Sequence, residues 1–276
     1  MPGRMKEIEV VVPLYNQLDL TRECVRGLWE DLEGPGRIIL VDNGSTDGTV
    51  EFLRGLSFVT AVENGRNLGV AAAWNAGVKF SAAPWLLILN NDTVLPPGWL
   101  RGLLDFCVKT GARIASPSMR EGELNYDLVS YASGFVRKMH RQARWGSADG
   151  PAFLVGREVF DRVGLFDESF FPAAYEDLDF FRRAKAAGFR LGVTGASFIH
   201  HYGAVTQRTM IAGGGEDHRQ RNRDLLCRKW GMPHPEGGWW ERRRNLLRRS
   251  WYRKKERILC GHTVKEKWID GRLVYC

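Results

Sequence analysis

The most constraining stretch of the chain is an unbroken apolar run, Trp85-Leu86-Leu87-Ile88-Leu89, that stops abruptly at Asn90, Asn91 and Asp92. A run this short, preceded by Pro84, reads as a strand covered on both faces, as in the middle of a mostly parallel sheet. In open α/β sheets the ligand crevice lies beyond the carboxyl ends of such strands. Asp92 sits there and is the first candidate metal ligand. Taken alone, Asn91-Asp92-Thr93 also reads as an ordinary turn before the helix announced by Pro96-Pro97-Gly98-Trp99.

The residues before this run decide between the two. Ile8-Glu9-Val10-Val11-Val12 is β-branched and short, a buried first strand that stops at Pro13-Leu14-Tyr15-Asn16. Asp19 is placed to cap a helix carrying Leu20, Cys24, Leu28 and Leu32 at helical spacing. A second strand over residues 37–42 ends at Asp42. The turn after it contains Gly44 and Gly48, and Ser45 or Thr46 would cap the next helix. A third strand over residues 58–62 leads through Asn64-Gly65-Arg66-Asn67 into a small-residue helix over residues 68–80. This alternation predicts a doubly wound α/β sheet with right-handed crossovers. Polar residues at three strand ends, Tyr15-Asn16, Asp42 and Asn91-Asp92, would line one crevice suited to a nucleotide.

What is missing narrows the chemistry. There is no G-x-x-x-x-G-K-[ST] loop, and Gly34-Pro35-Gly36 precedes a strand where a dinucleotide fingerprint would follow one. Without a glycine cradle, a diphosphate needs a divalent cation as counter-charge, and hard cations prefer carboxylates.

Four motifs in order carry a resemblance. Val11-Val12-Pro13-Leu14-Tyr15-Asn16, then Val41-Asp42-Asn43-Gly44-Ser45-Thr46-Asp47-Gly48-Thr49, then Asn67-Leu68-Gly69 with Asn75-Ala76-Gly77, then Asn90-Asn91-Asp92 resemble the family 2 glycosyltransferases of the GT-A fold, over about residues 7–206. The resemblance implies that Pro13, Tyr15, Asn16 and Asp42 hold the base and ribose of a nucleotide-sugar donor, with Asn67, Asn90 and Asn91 beside them. It also implies that the D-x-D motif binds Mn2+ or Mg2+ on the donor diphosphate. Here that motif reads N-x-D, because Asn90 brings an amide without charge.

The acceptor side follows. Residues 119–145 read as irregular, and Arg137-Lys138-Met139-His140-Arg141-Gln142-Ala143-Arg144 as a basic loop, either solvated or closing over an anionic donor. Ala152-Phe153-Leu154-Val155 reads as a strand and residues 157–163 as a helix. Tyr175-Glu176-Asp177 opens a helix that stops near Gly188. Acidic residues in a first turn are expected from the helix dipole alone. The resemblance assigns Asp177 as the general base for the acceptor hydroxyl, with Glu176 binding acceptor or orienting the loop. Of the tandem histidines, one is expected to be structural, and the resemblance implies that the other completes the metal site. Spacing to Gly203 favours His200 over His201.

Charge divides the chain. From Gln207 onward 18 Lys and Arg face 8 Asp and Glu, against 22 and 24 in residues 1–206. The expected organisation is a GT-A domain over 1–206, with a donor half (1–118) and an acceptor half (119–206), and a basic helical extension over 207–276 hinged at Gly213-Gly214-Gly215. Residues 239–259 place Trp240, Leu247, Trp251 and Ile258 on one helical face, with arginines around them. That face would lie on an anionic membrane or pack against the domain. The five cysteines are scattered and form no C-x-x-C pair, and no stretch approaches a membrane span, so the chain reads as cytoplasmic or peripheral at the inner membrane face. The function expected is metal-dependent, inverting transfer of a sugar to an acceptor hydroxyl on a surface glycan or lipid-linked saccharide. Rival readings are glycosylation of a modified nucleic acid, a non-catalytic nucleotide-sugar binder, and a nucleotidyltransferase, which the absent glycine- and arginine-rich first loop disfavours.

Overall fold

The computed structural model describes residues 2–31, 36–203, 205, 206, 208 and 217–276. Leu32, Gly34-Pro35 and the Gly213-Gly214-Gly215 joint lie outside the described residues. Strands β1 (Ile8–Leu14), β2 (Ile38–Asp42), β3 (Val59–Glu63) and β4 (Trp85–Leu89) are parallel, in spatial order β3-β2-β1-β4. Every residue of β2 and β4 is buried, as the apolar runs require. Their side chains alternate between two cores. Val10, Val12, Leu87 and Leu89 face one, and Val11, Leu86 and Ile88 face the other.

Helices α1 (Leu18–Asp31), α2 (Thr49–Arg54) and α3 (Val70–Phe80) connect these strands. The packing of α3 on β1 explains Gly77, since a Cβ there would stand 2.3 Å from a Val11 methyl. The expected caps are corrected. Asp47 caps both neighbouring helix starts, accepting from Leu18 N at 2.9 Å and from Thr49 N at 3.2 Å. Asp19 instead lies exposed beside Arg22, Ser45 Oγ accepts from Asn16 N, and Thr46 N donates to Asn16 Oδ1.

Beyond β4 come β5 (Thr93–Val94), α4 (Trp99–Thr110), β6 (Ile114–Glu121), α5 (Leu128–Met139), β7 (Ala143–Trp145), β8 (Ala152–Gly156), α6 (Arg157–Val163), α7 (Glu176–Ala186) and β9 (Leu191–His201). The sheet turns mixed here: β8 runs antiparallel between β4 and β6, while β9 is parallel to β6 and antiparallel to β5 and β7. Residues 119–145 are therefore not irregular. Ala132, Phe135 and Met139, at helical spacing, bury one face of α5. Arg137 and Lys138 end that helix, where cations suit its dipole, and Arg144 belongs to β7, so the expected basic loop shrinks to the turn His140-Arg141-Gln142.

The C-terminal region comprises α8 (His218–Lys229), α9 (Trp239–Cys260) and the hairpin β10 (Lys265–Ile269) and β11 (Arg272–Tyr275). It is not wholly helical. β10 pairs in parallel with β6, Lys265 opposite Met119, and so extends the central sheet. Glu256 of α9, 1% exposed, receives two hydrogen bonds from Arg144 at 3.0 and 2.8 Å. The polar face of α9 is thus the inner one. Packing of the apolar stripe against the domain is overturned, because Trp240, Leu247, Trp251 and Ile258 are 75, 66, 57 and 82% exposed. Among the described residues no helix is long and apolar enough to cross a membrane.

Candidate active site

The turn after β4 is fixed by its own backbone. Asn90 N donates to Pro151 O at 2.8 Å, and Asn90 O accepts from Thr93 Oγ1 at 2.8 Å. Asn91 turns away, its amide donating to Thr21 Oγ1 on α1 at 3.0 Å in a buried contact, so it serves the turn instead of the cleft. Asp92 is buried, with Oδ2 accepting from Val205 N at 3.3 Å.

Pairing of Thr93 with His201 brings β9 alongside this turn. His201 Nε2 lies 3.3 Å from Asp92 Oδ1, and His201 Nδ1 is 3.9 Å from Glu121 Oε2. His200 points the other way, as successive strand residues must, and its Nδ1 meets Tyr126 Oη at 3.0 Å. Burial lowers the His200 pKa to about 4, leaving a neutral structural imidazole. The preference for His200 over His201 is corrected accordingly.

Asn90 Oδ1 is buried without a hydrogen-bond partner, and Asp92 Oδ1 has only the 3.3 Å approach of His201 Nε2. Buried polar atoms left open in this way suit a ligand. A carboxylate and an amide oxygen with an imidazole nitrogen can hold a divalent cation. Among the described residues no group of three His, Cys, Asp or Glu forms a complete metal cluster, so a cation at Asp92 would need further oxygens from a bound substrate.

Loops from three strand ends interlock beside this turn. Asp42 is buried and accepts from Gly44 N at 2.8 Å and Ser45 N at 3.1 Å. Asn67 Oδ1 accepts from Gly69 N at 2.9 Å, and Asn43 Nδ2 donates to Gly69 O at 3.0 Å, tying the second loop to the third. Gly44 allows their close approach, since a Cβ there would lie 2.6 Å from Arg66 Cα. Asn16, at φ 55°, joins the first loop to the second. Pro13 and Tyr15 precede it at the end of β1.

Across the cleft, Asp177 occupies the first turn of α7, with Oδ1 accepting from Leu178 N at 2.7 Å. Its Oδ2 lies against Gly150, where any Cβ would stand 2.2 Å away. Burial raises the Asp177 pKa, the Leu178 N–H opposes the shift, and the Asp149 carboxylate adds to it. Glu176 is buried more deeply, with Oε2 unpartnered, and its pKa is raised well above the ordinary carboxylate value by burial and then by the charge of Asp177. A cavity of about 1300 Å3 joins Asn90, His201, Glu176 and Asp177. Asp149, Gly150 and Lys265 also line it, and Lys265 Nζ sits 3.5 Å from Asp149. Sequence reasoning missed all three. Asp149-Gly150-Pro151 carried a turn signal, whereas nothing local announced that β10 delivers Lys265 to this place.

The chain is similar to several known proteins. Residues 9–164 match the model of Glycosyl transferase family 2. An uncharacterised protein of Sinorhizobium fredii is 24% identical over 250 residues, which are 81% of this chain and 27% of that protein. The chain therefore spans about a quarter of that relative's length. The N-acetylglucosaminyl-diphospho-decaprenol L-rhamnosyltransferase of Mycobacterium tuberculosis is 26% identical, covering 87% of this chain and 90% of the relative. The crystal structure of GalNAc-T7 with UDP, GalNAc and Mn2+ superposes with a TM-score of 0.58 at 16% identity, over 71% of this chain and 43% of that one. At that identity the likeness speaks to the fold, which is GT-A.

Proposed function

The chain belongs to Glycosyl transferase family 2, and on that premise we propose that it moves a sugar from a nucleoside-diphosphate donor to an acceptor hydroxyl, with a divalent cation at Asp92 and with inversion at the anomeric carbon. One observation carries the reading: Asp177, a carboxylate made more basic by burial, opens into the same cavity as Asn90 and His201. Asp92 and His201, with the Asn90 amide, would hold Mn2+ or Mg2+. When bound, the cation supplies counter-charge to the departing diphosphate. Tyr15, Asn16, Asp42 and Asn67 orient the donor from the strand-end loops, and Pro13 shapes the base pocket.

Asp177 takes the proton of the acceptor hydroxyl as its oxygen forms the new bond to the anomeric carbon. The bond from that carbon to the diphosphate breaks on the opposite side, which gives inversion. Glu176, whose carboxyl pKa is raised by burial and by the charge of Asp177, binds the acceptor or orients the loop beside it. Residues 1–118 serve the donor and 119–206 the acceptor, and 207–276 close the acceptor side through α9 and β10.

A lipid-linked saccharide is the acceptor class favoured, by analogy with the mycobacterial rhamnosyltransferase and by the exposed tryptophans of α9. The basic residues flanking those tryptophans fit an anionic membrane face, which would make the protein peripheral there. The test is thermal melting against UDP-, dTDP- and GDP-sugars, each with Mn2+ and with EDTA. A ligand that binds only the folded state raises the melting temperature. One nucleotide class is expected to give a shift that EDTA abolishes, and no shift with any of them would defeat the reading.

A further inference from the structure

The cavity wall facing Asp177 is rich in cations, and most of them are neutralised. Arg144 is engaged by Glu256 at 2.8 Å, Arg249 by Glu236 at 2.8 Å, and Lys265 by Asp149 at 3.5 Å. Lys185 on α7 and Arg244 and Arg248 on α9 line the same wall, yet among the described residues none has a carboxylate at ion-pairing distance. Two of them converge. Lys185 Nζ lies 3.5 Å and Arg248 Nη1 3.7 Å from the point that a Cβ on Gly146 would occupy, so the bare backbone of Gly146 keeps open a gap between them. Gly146 sits at φ +85°, a conformation that L side chains rarely adopt. Lys185, Arg244 and Arg248 are exposed at the mouth of the cavity, and like charges brought together there repel unless an anion joins them.

The spacing to the proposed base is set by one helix. Lys185 follows Asp177 by eight residues of α7, about 12 Å along its axis. That distance leaves room for a saccharide unit between a hydroxyl at Asp177 and an anion at Lys185. On α9 the neighbours of Arg248 include Leu247 and Trp251, both exposed on the outer side, so hydrocarbon attached to the anion would continue onto an apolar surface.

We propose that Lys185, Arg244 and Arg248 bind a phosphate or diphosphate ester of the acceptor, one saccharide unit from the hydroxyl that Asp177 deprotonates; this rests on Asp177 being the base of a sugar transfer. The anion is shared by a sugar carried on a prenyl diphosphate and by a free sugar phosphate.

Titration calorimetry on the full chain tests the site without any donor. The probes are N-acetylglucosaminyl farnesyl diphosphate, N-acetylglucosamine 1-phosphate and the neutral octyl N-acetylglucosaminide. An anionic probe is expected to bind more tightly than the neutral glycoside, and Lys185→Gln or Arg248→Gln to weaken it by about tenfold each, as loss of one charge-assisted contact implies. Tighter binding of the farnesyl diphosphate than of the 1-phosphate identifies a lipid-linked source, and the reverse a free one. Equal affinity for the neutral glycoside, no binding of either anionic probe, or affinity that survives both substitutions overturns the site. The nucleotide-sugar melting shift reads the donor pocket separately. Its absence in every form defeats the proposed transfer chemistry and leaves the anion result standing.

Discussion

The strand-end loops and the cavity around Asp177 are held in opposite ways. On the donor side, loops from consecutive strands lock one another through short-range bonds: Asp42 to Gly44 and Ser45, Asn67 to Gly69, Asn16 to Thr46. On the acceptor side, α7, the turn before β8, α9 and β10 meet from distant parts of the chain. There Asp177 rests on Gly150, Arg144 on Glu256, and Lys265 on Asp149. A region built from neighbouring residues is fixed locally, as the proposed donor site requires. A wall assembled from separate segments can change one of them alone, so in the proposed function the acceptor can vary while Asp177 stays in register with the donor.

That contrast can be broken or sharpened by substitution. The largest effect is expected on the donor side, where Asp92→Asn removes the carboxylate beside His201. Transfer should fall by roughly a thousand-fold, since a cation on a leaving diphosphate contributes several kcal/mol. Steady-state assays across a Mn2+ titration check this, and unchanged rates would place the cation elsewhere. Gly150→Ala attacks the acceptor wall alone. Its methyl group would stand 2.2 Å from Asp177 Oδ2, well inside van der Waals contact, and displace the carboxylate, so kcat should drop about a hundred-fold, as misplacement by an ångström commonly does. The donor-induced melting shift should stay intact.

A structural effect comes next. Arg144→Ala leaves the buried Glu256 charge with only the Val264 N–H and should cost about 3 kcal/mol in denaturant unfolding. A loss under 1 kcal/mol would mean that α9 is not held through this pair. The smallest effect is on the outer face of α9. Trp240→Ala and Trp251→Ala should each lower partitioning onto phosphatidylglycerol vesicles by about tenfold without changing the melting temperature.

The same contrast explains what could be read from the sequence. β1 to β4, with the polar residues at their ends, were legible because apolar runs and turn residues are local signals. Asp92 and Asp177 carried no such local signal, since one also reads as a turn residue and the other as a helix-dipole residue, and it was the family resemblance that singled them out. The caps were misread because Asp47, with two oxygens, reaches two helix starts, a geometry that residue identity alone does not reveal. Choosing between His200 and His201 depends on which of them faces Asp92, and that is set by the pairing of Thr93 with His201 across more than a hundred residues. The pattern of α9 was visible but its direction was not. Amphipathicity says that two faces differ, and the buried Glu256 decides which one turns inward. β10 was hidden because Lys265-Glu266-Lys267 lacks apolar content, and it is the pairing with β6 that makes this half-buried segment a strand.

The most direct test of the central claim is Asp177→Asn, measured for transfer and for melting over a range of pH. The raised pKa of Asp177 means that the folded state holds its proton more tightly than the unfolded chain does. Its charged form therefore costs stability above that raised pKa, and the cost disappears as pH falls below the ordinary carboxylate value of about 4. The account predicts that the amide variant keeps the nucleotide-sugar melting shift and melts at or above the wild-type temperature at pH 8. That difference should vanish toward pH 4, and transfer should fall by about a thousand-fold. In the wild type, transfer should decline on the acid side through a pKa above the ordinary carboxylate range. Transfer at the wild-type rate by the amide variant would remove Asp177 from the chemistry and contradict the account.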